Sequence, residues 1–309
     1  MAVGHPFELN DQELMRNFWT GFESEPAVWQ TVAPQIPGVA FGKETTKTFR
    51  WLELLSSFED WTNLGSIPSS VMDKREYTLE RKKYGRNLTI EEEEAEDDGG
   101  GMIYARAQGL GSGWPARQNY DVSYLIENAH QDRLLWDLQY FFDGAHPGAT
   151  AAGVATTFPN KFQLELTRPN VQAILSTMAT YRFLNGELVG CRPNLLLHPP
   201  ALKFAAKEIC LSPKYPDSAN QGDNPMFREL LPVEMPNLTD INRFYIVDTT
   251  HPIKPFFWCP KQELRVILPN RQSDEYVKGR RLTYSADASG RFGVSLWWWA
   301  AMSDPDVSV

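Results

Sequence analysis

The chain has 309 residues, 42% hydrophobic and 22% charged, a balance that excludes wholesale disorder and allows a sizeable core in two lobes. Its formal net charge of −9 argues against a protein whose main task is gripping phosphate backbones, because such binding draws on clustered Lys and Arg. Three widely spaced cysteines, Cys191, Cys210 and Cys259, with no C-x-x-C pair, fit reduced, partly buried thiols.

The first ten residues lack a basic segment followed by an apolar one, so they do not read as a secretory signal. The strongly apolar residues 294–302 fall well short of the about 20 that a membrane helix needs. A cytoplasmic protein without membrane contact is expected.

Residues 1–45 lack a sustained apolar period, apart from an amphipathic helical segment over 11–22 around Leu14, Phe18 and Phe22. They read as an extended arm that gains order from a neighbour. Residues 47–55 and 75–90 turn strand-like, with Phe49 and Trp51 alternating in the first and Tyr77 and Leu79 in the second. Together they form a long two-stranded excursion, which in isolation is marginal in water and normally lies on something else. Its second run carries Lys74, Arg75, Arg81, Lys82, Lys83 and Arg86. The acids Glu91, Glu92, Glu93, Glu94, Glu96, Asp97 and Asp98 follow directly. Such runs are ordinarily solvated faces; opposite runs this close also fit complementary pairing between subunits.

A helix is expected from residue 102, broken near Pro115 by Gly109, Gly111 and Gly113, with a fresh helical stretch over 116–140. That stretch presents Tyr120, Tyr124, Leu134 and Leu138 as an apolar stripe. Beyond a Gly/Ala/Thr-rich loop the pattern is mixed: a helix over 169–184, a strand over 194–198, a helix over 200–210 and a loop over 212–236. Strands follow at 243–248, 253–258 and 263–268. The tail, 278–302, reads as two strands turning through 287–290 and ending in three tryptophans that pack on both sheet faces.

No nucleophile elbow, phosphate loop or H-E-x-x-H helix is present, and Gly109-Leu-Gly-Ser-Gly113 misses the dinucleotide fingerprint. The five histidines are never at i, i+4 or at metal spacing from a Cys. Neither an enzyme nor a cofactor or metal is expected.

Several pieces then occur in an order that resembles the major head subunits of Mu-like bacteriophages, a branch of the HK97-fold capsid proteins. They are TFRWLELLSSFEDWTNLGSI, NLTIEEEEAEDDGGGMIYA, DLQYFFDGAHP, RPNLLLHPPALKFAAKEI, HPIKPFFWCPKQEL and GRFGVSLWWWAAM. The resemblance implies an α+β, HK97-like capsid fold. It assigns an N-terminal arm to 1–45, an E-loop hairpin to 46–90, and a peripheral domain of spine helix and long β-sheet to 91–150 and 263–309. An axial α/β domain takes 151–262. It further implies a tailed-phage head built of hexamers and pentamers around dsDNA that is enclosed without specific binding, with portal, scaffold, maturation protease and decoration proteins as partners. The departure is the Gly/Pro interruption at 109–115. An encapsulin-like compartment shell shares the fold; from another class, a cytoplasmic α/β hydrolase or carbohydrate-binding protein is the rival.

Overall fold

The computed structural model describes residues 10–52, 74–91, 93–94, 97, 101–214, 222–272 and 274–306. Asn10 caps the first helix, its side-chain oxygen accepting from the N–H groups of Gln12 (3.0 Å) and Glu13 (3.4 Å). Helix α1 (Asp11–Ser24) buries Leu14, Phe18 and Gly21, the spacing of one helical face. A short helix, α2 (Val28–Val32), follows, and its Trp29 packs against Trp258 and Phe292. Phe41 N–H donates to the Pro260 carbonyl (2.8 Å). Residues 10–45 are therefore seated on their own chain, where the sequence suggested order borrowed from a neighbour.

Strands β1 (Thr46–Leu52) and β2 (Lys74–Glu80) pair antiparallel from Thr46↔Glu80 to Leu52↔Lys74. Arg81 separates β2 from β3 (Lys82–Glu91), so the second run of the excursion serves two sheets. Helix α3 (Gly101–Glu127) is continuous through Pro115, in contrast to the break expected there. Packing explains the glycines: a Cβ on Gly111 would lie 1.9 Å from the Phe18 carbonyl oxygen, and one on Gly21 would lie 1.9 Å from that of Gln108. The two helices touch backbone to backbone, and this contact outweighs local propensity.

The helix ends at Glu127, well before residue 140, and the chain closes a small turn through the Leu134–Tyr140 bridge. The expected stripe is also corrected, because Tyr120, Tyr124, Leu134 and Leu138 are all exposed. The buried face of α3 instead carries Val122, Leu125 and Ile126, with Gln118, Asn119 and Ser123.

Short strands β4 (His146–Ala149), β5 (Ala155–Phe158) and β6 (Lys161–Phe162) lead to helix α4 (Arg168–Ala179). Strand β7 (Leu195–His198), helix α5 (Lys203–Leu211), β8 (Leu231–Glu234) and β9 (Phe244–Val247) complete this part. The expected strands 253–258 and 263–268 are one strand, β10 (Phe256–Ile267), whose irregular register around Pro260 and Gln262 bends it without ending it. After α6 (Asp274–Gly279), β11 (Arg281–Val294) runs straight through 287–290. Gly290 marks no turn: a Cβ there would lie 2.5 Å from the Trp258 ring. Trp297–Trp299 form one 3-10 turn rather than a strand, and β12 (Ala300–Ser303) follows.

The long sheet has the order β10-β11-β3 and is antiparallel throughout. The second sheet runs β6-β12-β9-β7-β8. All three tryptophans are buried where the chain passes from one sheet to the other. Trp297 stacks on His146 (4.3 Å), Trp298 meets Phe183 edge-on (4.9 Å) and Trp299 stacks on His251 (3.8 Å). The end of α3 is tied to the second sheet as well. A Glu127 carboxylate oxygen accepts from the Thr239 and Asp240 N–H groups, and Arg243 bridges the Glu127 carbonyl (3.1 Å) and buried Asp304 (2.6 Å).

Candidate assembly surfaces

The basic residues singled out by sequence occupy different environments. Lys74 and Arg75 sit in β2 opposite Leu52 and Trp51, and their side chains lie outside the described residues. The Arg81 N–H donates to the Thr45 carbonyl (2.8 Å), which fixes the corner between β2 and β3. Lys82 is engaged within its own chain, 3.8 Å from Asp121 and over the Tyr84 ring. Lys83 and Arg86 are exposed, and among the described residues neither has an ion-pair partner.

The acidic run divides in the same way. Glu91 pairs with Arg281 (2.8 Å) and Glu94 with Arg106 (2.5 Å). Glu93 and Asp97 are exposed without an ion-pair partner among the described residues. Glu92, Glu96 and Asp98 lie outside them.

Between α3 and the long sheet lies a groove of about 380 Å³, lined by Arg86, Arg117 and Trp114. Arg117 escaped the sequence reading because the mid-helix position gives no local signal; it is 2.8 Å from Asp121, which also accepts from the Tyr84 hydroxyl (2.7 Å). Burial, reinforced by that bond to a carboxylate, raises the Tyr84 hydroxyl above its usual range. Across the sheet, a second hollow is lined by Arg81, Lys83, Lys261 and Arg265. Arg265 is bound to Asp287 (2.7 Å), and this hydrogen bond lowers the aspartate below the ordinary carboxylate range.

Two histidine–aspartate pairs stand apart from these surfaces, His146 with Asp137 (2.7 Å) and His251 with Asp248 (3.3 Å). His146 is fully buried and stacked on Trp297. Among the described residues there is no group of three His, Cys, Asp or Glu side chains able to hold a metal. No described helix is long and apolar enough to cross a membrane.

The model of the Mu-like prophage major head subunit family, gpT, matches residues 8–164, half of the chain. The chain belongs to that family. It is a major capsid protein of a tailed phage, and its place is the virion. No curated protein matches the sequence. Among solved structures, the head subunit is similar to the procapsid of bacteriophage JBD30, with a TM-score of 0.57 and 17% identity over 96% of this chain and 74% of that one. A chain of Mycobacterium phage Patience gives 0.53 and 13% over 97% and 86%. A virus-like particle from Pyrococcus furiosus gives 0.51 and 9% over 95% and 99%. At these identities the likeness is one of fold, and it makes the head subunit an HK97-like α+β capsid protein.

Proposed function

We propose that the subunit forms hexamers and pentamers that close into an icosahedral head, with 1–45 as arm, 46–90 as E-loop, 91–150 and 263–309 as peripheral domain and 151–262 as axial domain. The family match across the arm, hairpin and long helix carries this reading. Its work is mechanical and requires no catalytic group. The E-loop adds buried area between neighbours, so that shells form once many such contacts close together. The basic residues from Lys74 to Arg86 and the acids from Glu91 to Asp98 face adjoining subunits in this scheme. With a net charge of −9, the shell encloses dsDNA without gripping it.

Assembly takes place in the host cytoplasm, with a portal, a scaffold and a maturation protease as partners. A similar fold occurs in a JBD30 capsid decorated with minor capsid protein trimers (TM-score 0.52, 19% identity), which supports decoration here. The Pyrococcus particle has the same fold, so fold alone admits a cargo compartment; the family match favours the phage head. Expression alone and with candidate scaffolds, followed by light scattering and negative-stain imaging, tests the reading. Capsomers, tubes or closed shells are expected, and a monomer under every condition overturns it.

A further inference from the structure

A third hollow, of about 90 Å³, opens where the start of β3, the C-terminal part of α3 with the loop that follows it, and the end of β11 meet. Three cations line it, Lys82, Arg133 and Arg291, against a single carboxylate, Asp121. Lys82 alternates with Lys83 along β3, so it stands on the α3 side of the sheet, 3.8 Å from Asp121. Arg291 lies just past the last pairing of β11 with β3, Gly290↔Lys82, and its guanidinium donates to the Glu80 carbonyl (3.2 Å) at that open edge. Arg133 comes from the loop after α3. Two tyrosines register how closely the charges converge. Burial raises the Tyr77 hydroxyl above its usual value while Arg133 and Arg291 pull it down, and Arg291 acts in the same sense on Tyr84.

The one carboxylate is already engaged, since Asp121 also takes Arg117 (2.8 Å) and the Tyr84 hydroxyl (2.7 Å). Arg133 and Arg291 have no ion-pair partner among the described residues, and the Nε of Arg133 is buried without an acceptor. A buried donor of this kind calls for a partner, and like charges around one small hollow call for an anion. The space suits several waters or one small ion.

We propose that this hollow binds a phosphate group, held by the ammonium of Lys82 and the forked guanidinium groups of Arg133 and Arg291. A phosphate offers oxygens to three donors at once, which a carboxylate does not. Bound there, it ties the base of the hairpin to α3 and to β11. The site belongs to a single subunit and stands independently of the shell reading.

The test is the melting temperature of the full-length chain in about 50 mM inorganic phosphate against sodium chloride of equal ionic strength. Phosphate should raise it by about 3 °C in the unsubstituted chain and in Lys83→Gln, whose side chain stands on the opposite sheet face, and by less than about 1 °C in Arg133→Gln. Should Arg133→Gln fail to fold, Arg291→Lys, which keeps the charge and loses the fork, should show the rise at least halved. No rise over chloride, an equal rise in the Arg133 or Arg291 variant, or a rise lost as fully in Lys83→Gln overturns the site. A fluorescent short DNA duplex then separates the two sources of the group. Binding that inorganic phosphate displaces and Arg133→Gln abolishes assigns the site to a nucleic-acid backbone, and a duplex left unbound assigns it to the free ion.

Discussion

Burial governs the titratable groups of the core, and it makes two quantities measurable. It pushes the thiols of Cys210 and Cys259 up to about 11 and that of Cys191 higher still, with the Asp248 charge adding to the effect. At pH 8 the folded subunit should therefore resist a thiol reagent, and all three cysteines should react once denatured; rapid labelling of the native chain would refute their burial. Burial also lowers His130 and His198, the former further because Arg243 lies near. A histidine depressed in the fold contributes stability above its unfolded value of about 6.5 and loses it as pH falls through the folded value. Thermal stability should drop below about pH 6.5, and His198→Asn should flatten that slope; an unchanged slope would assign the loss to other groups.

At the scale of elements, the contact of α1 with α3 is decided by missing side chains. Gly111→Ala puts a methyl group 1.9 Å from the Phe18 carbonyl oxygen, forcing the helices apart at a cost of about 1–3 kcal/mol despite the better helix former. Gly109→Ala, two residues away in open space, should instead stabilise by up to about 1 kcal/mol. Denaturant melts of the two variants should move in opposite directions. The same positions explain what the sequence hid. Periodicity located α1, and short continuous apolar runs located β7 and β9, which are buried at every position. It misread Gly111 as a helix break and Gly290 as a turn, since a glycine required by a partner distant in sequence looks like one required by its own backbone. The exposed Tyr120 and Tyr124 were hidden for a related reason: α3 turns amide and hydroxyl groups inward to tie the arm, with Asn119 bonding Trp29 N–H and the Pro26 carbonyl. Of the singled-out charges, Lys83, Arg86, Glu93 and Asp97 have no ion-pair partner among the described residues, while Lys82 and Glu91 are engaged by side chains whose proximity no local pattern reveals.

For the whole molecule, the 3-10 turn of Trp297–Trp299 and the β1–β2 pair divide folding from assembly. Trp298 is 1% exposed at the passage between the two sheets. Trp298→Asp buries an unpaired charge and removes a large ring, a loss above about 4 kcal/mol against a total of about 5–15, so insoluble chain is expected and a soluble, assembling variant would show the turn to be open. The hairpin calls for the opposite outcome. Phe49 on β1 and Leu79 on β2 belong to the core, with Phe49 edge-on to Phe257 (5.2 Å), so removing all of 55–80 would also remove packing that the subunit needs for itself. A deletion that joins Leu52 to Lys74 through a short turn keeps the β1–β2 register and takes away only the intervening chain. If that segment acts between subunits, the shortened protein should melt within a few degrees of the full chain yet fail to yield stable shells. Normal shells would remove the E-loop role from 53–73, and a collapse in melting temperature would give those residues a part in the fold of the single subunit.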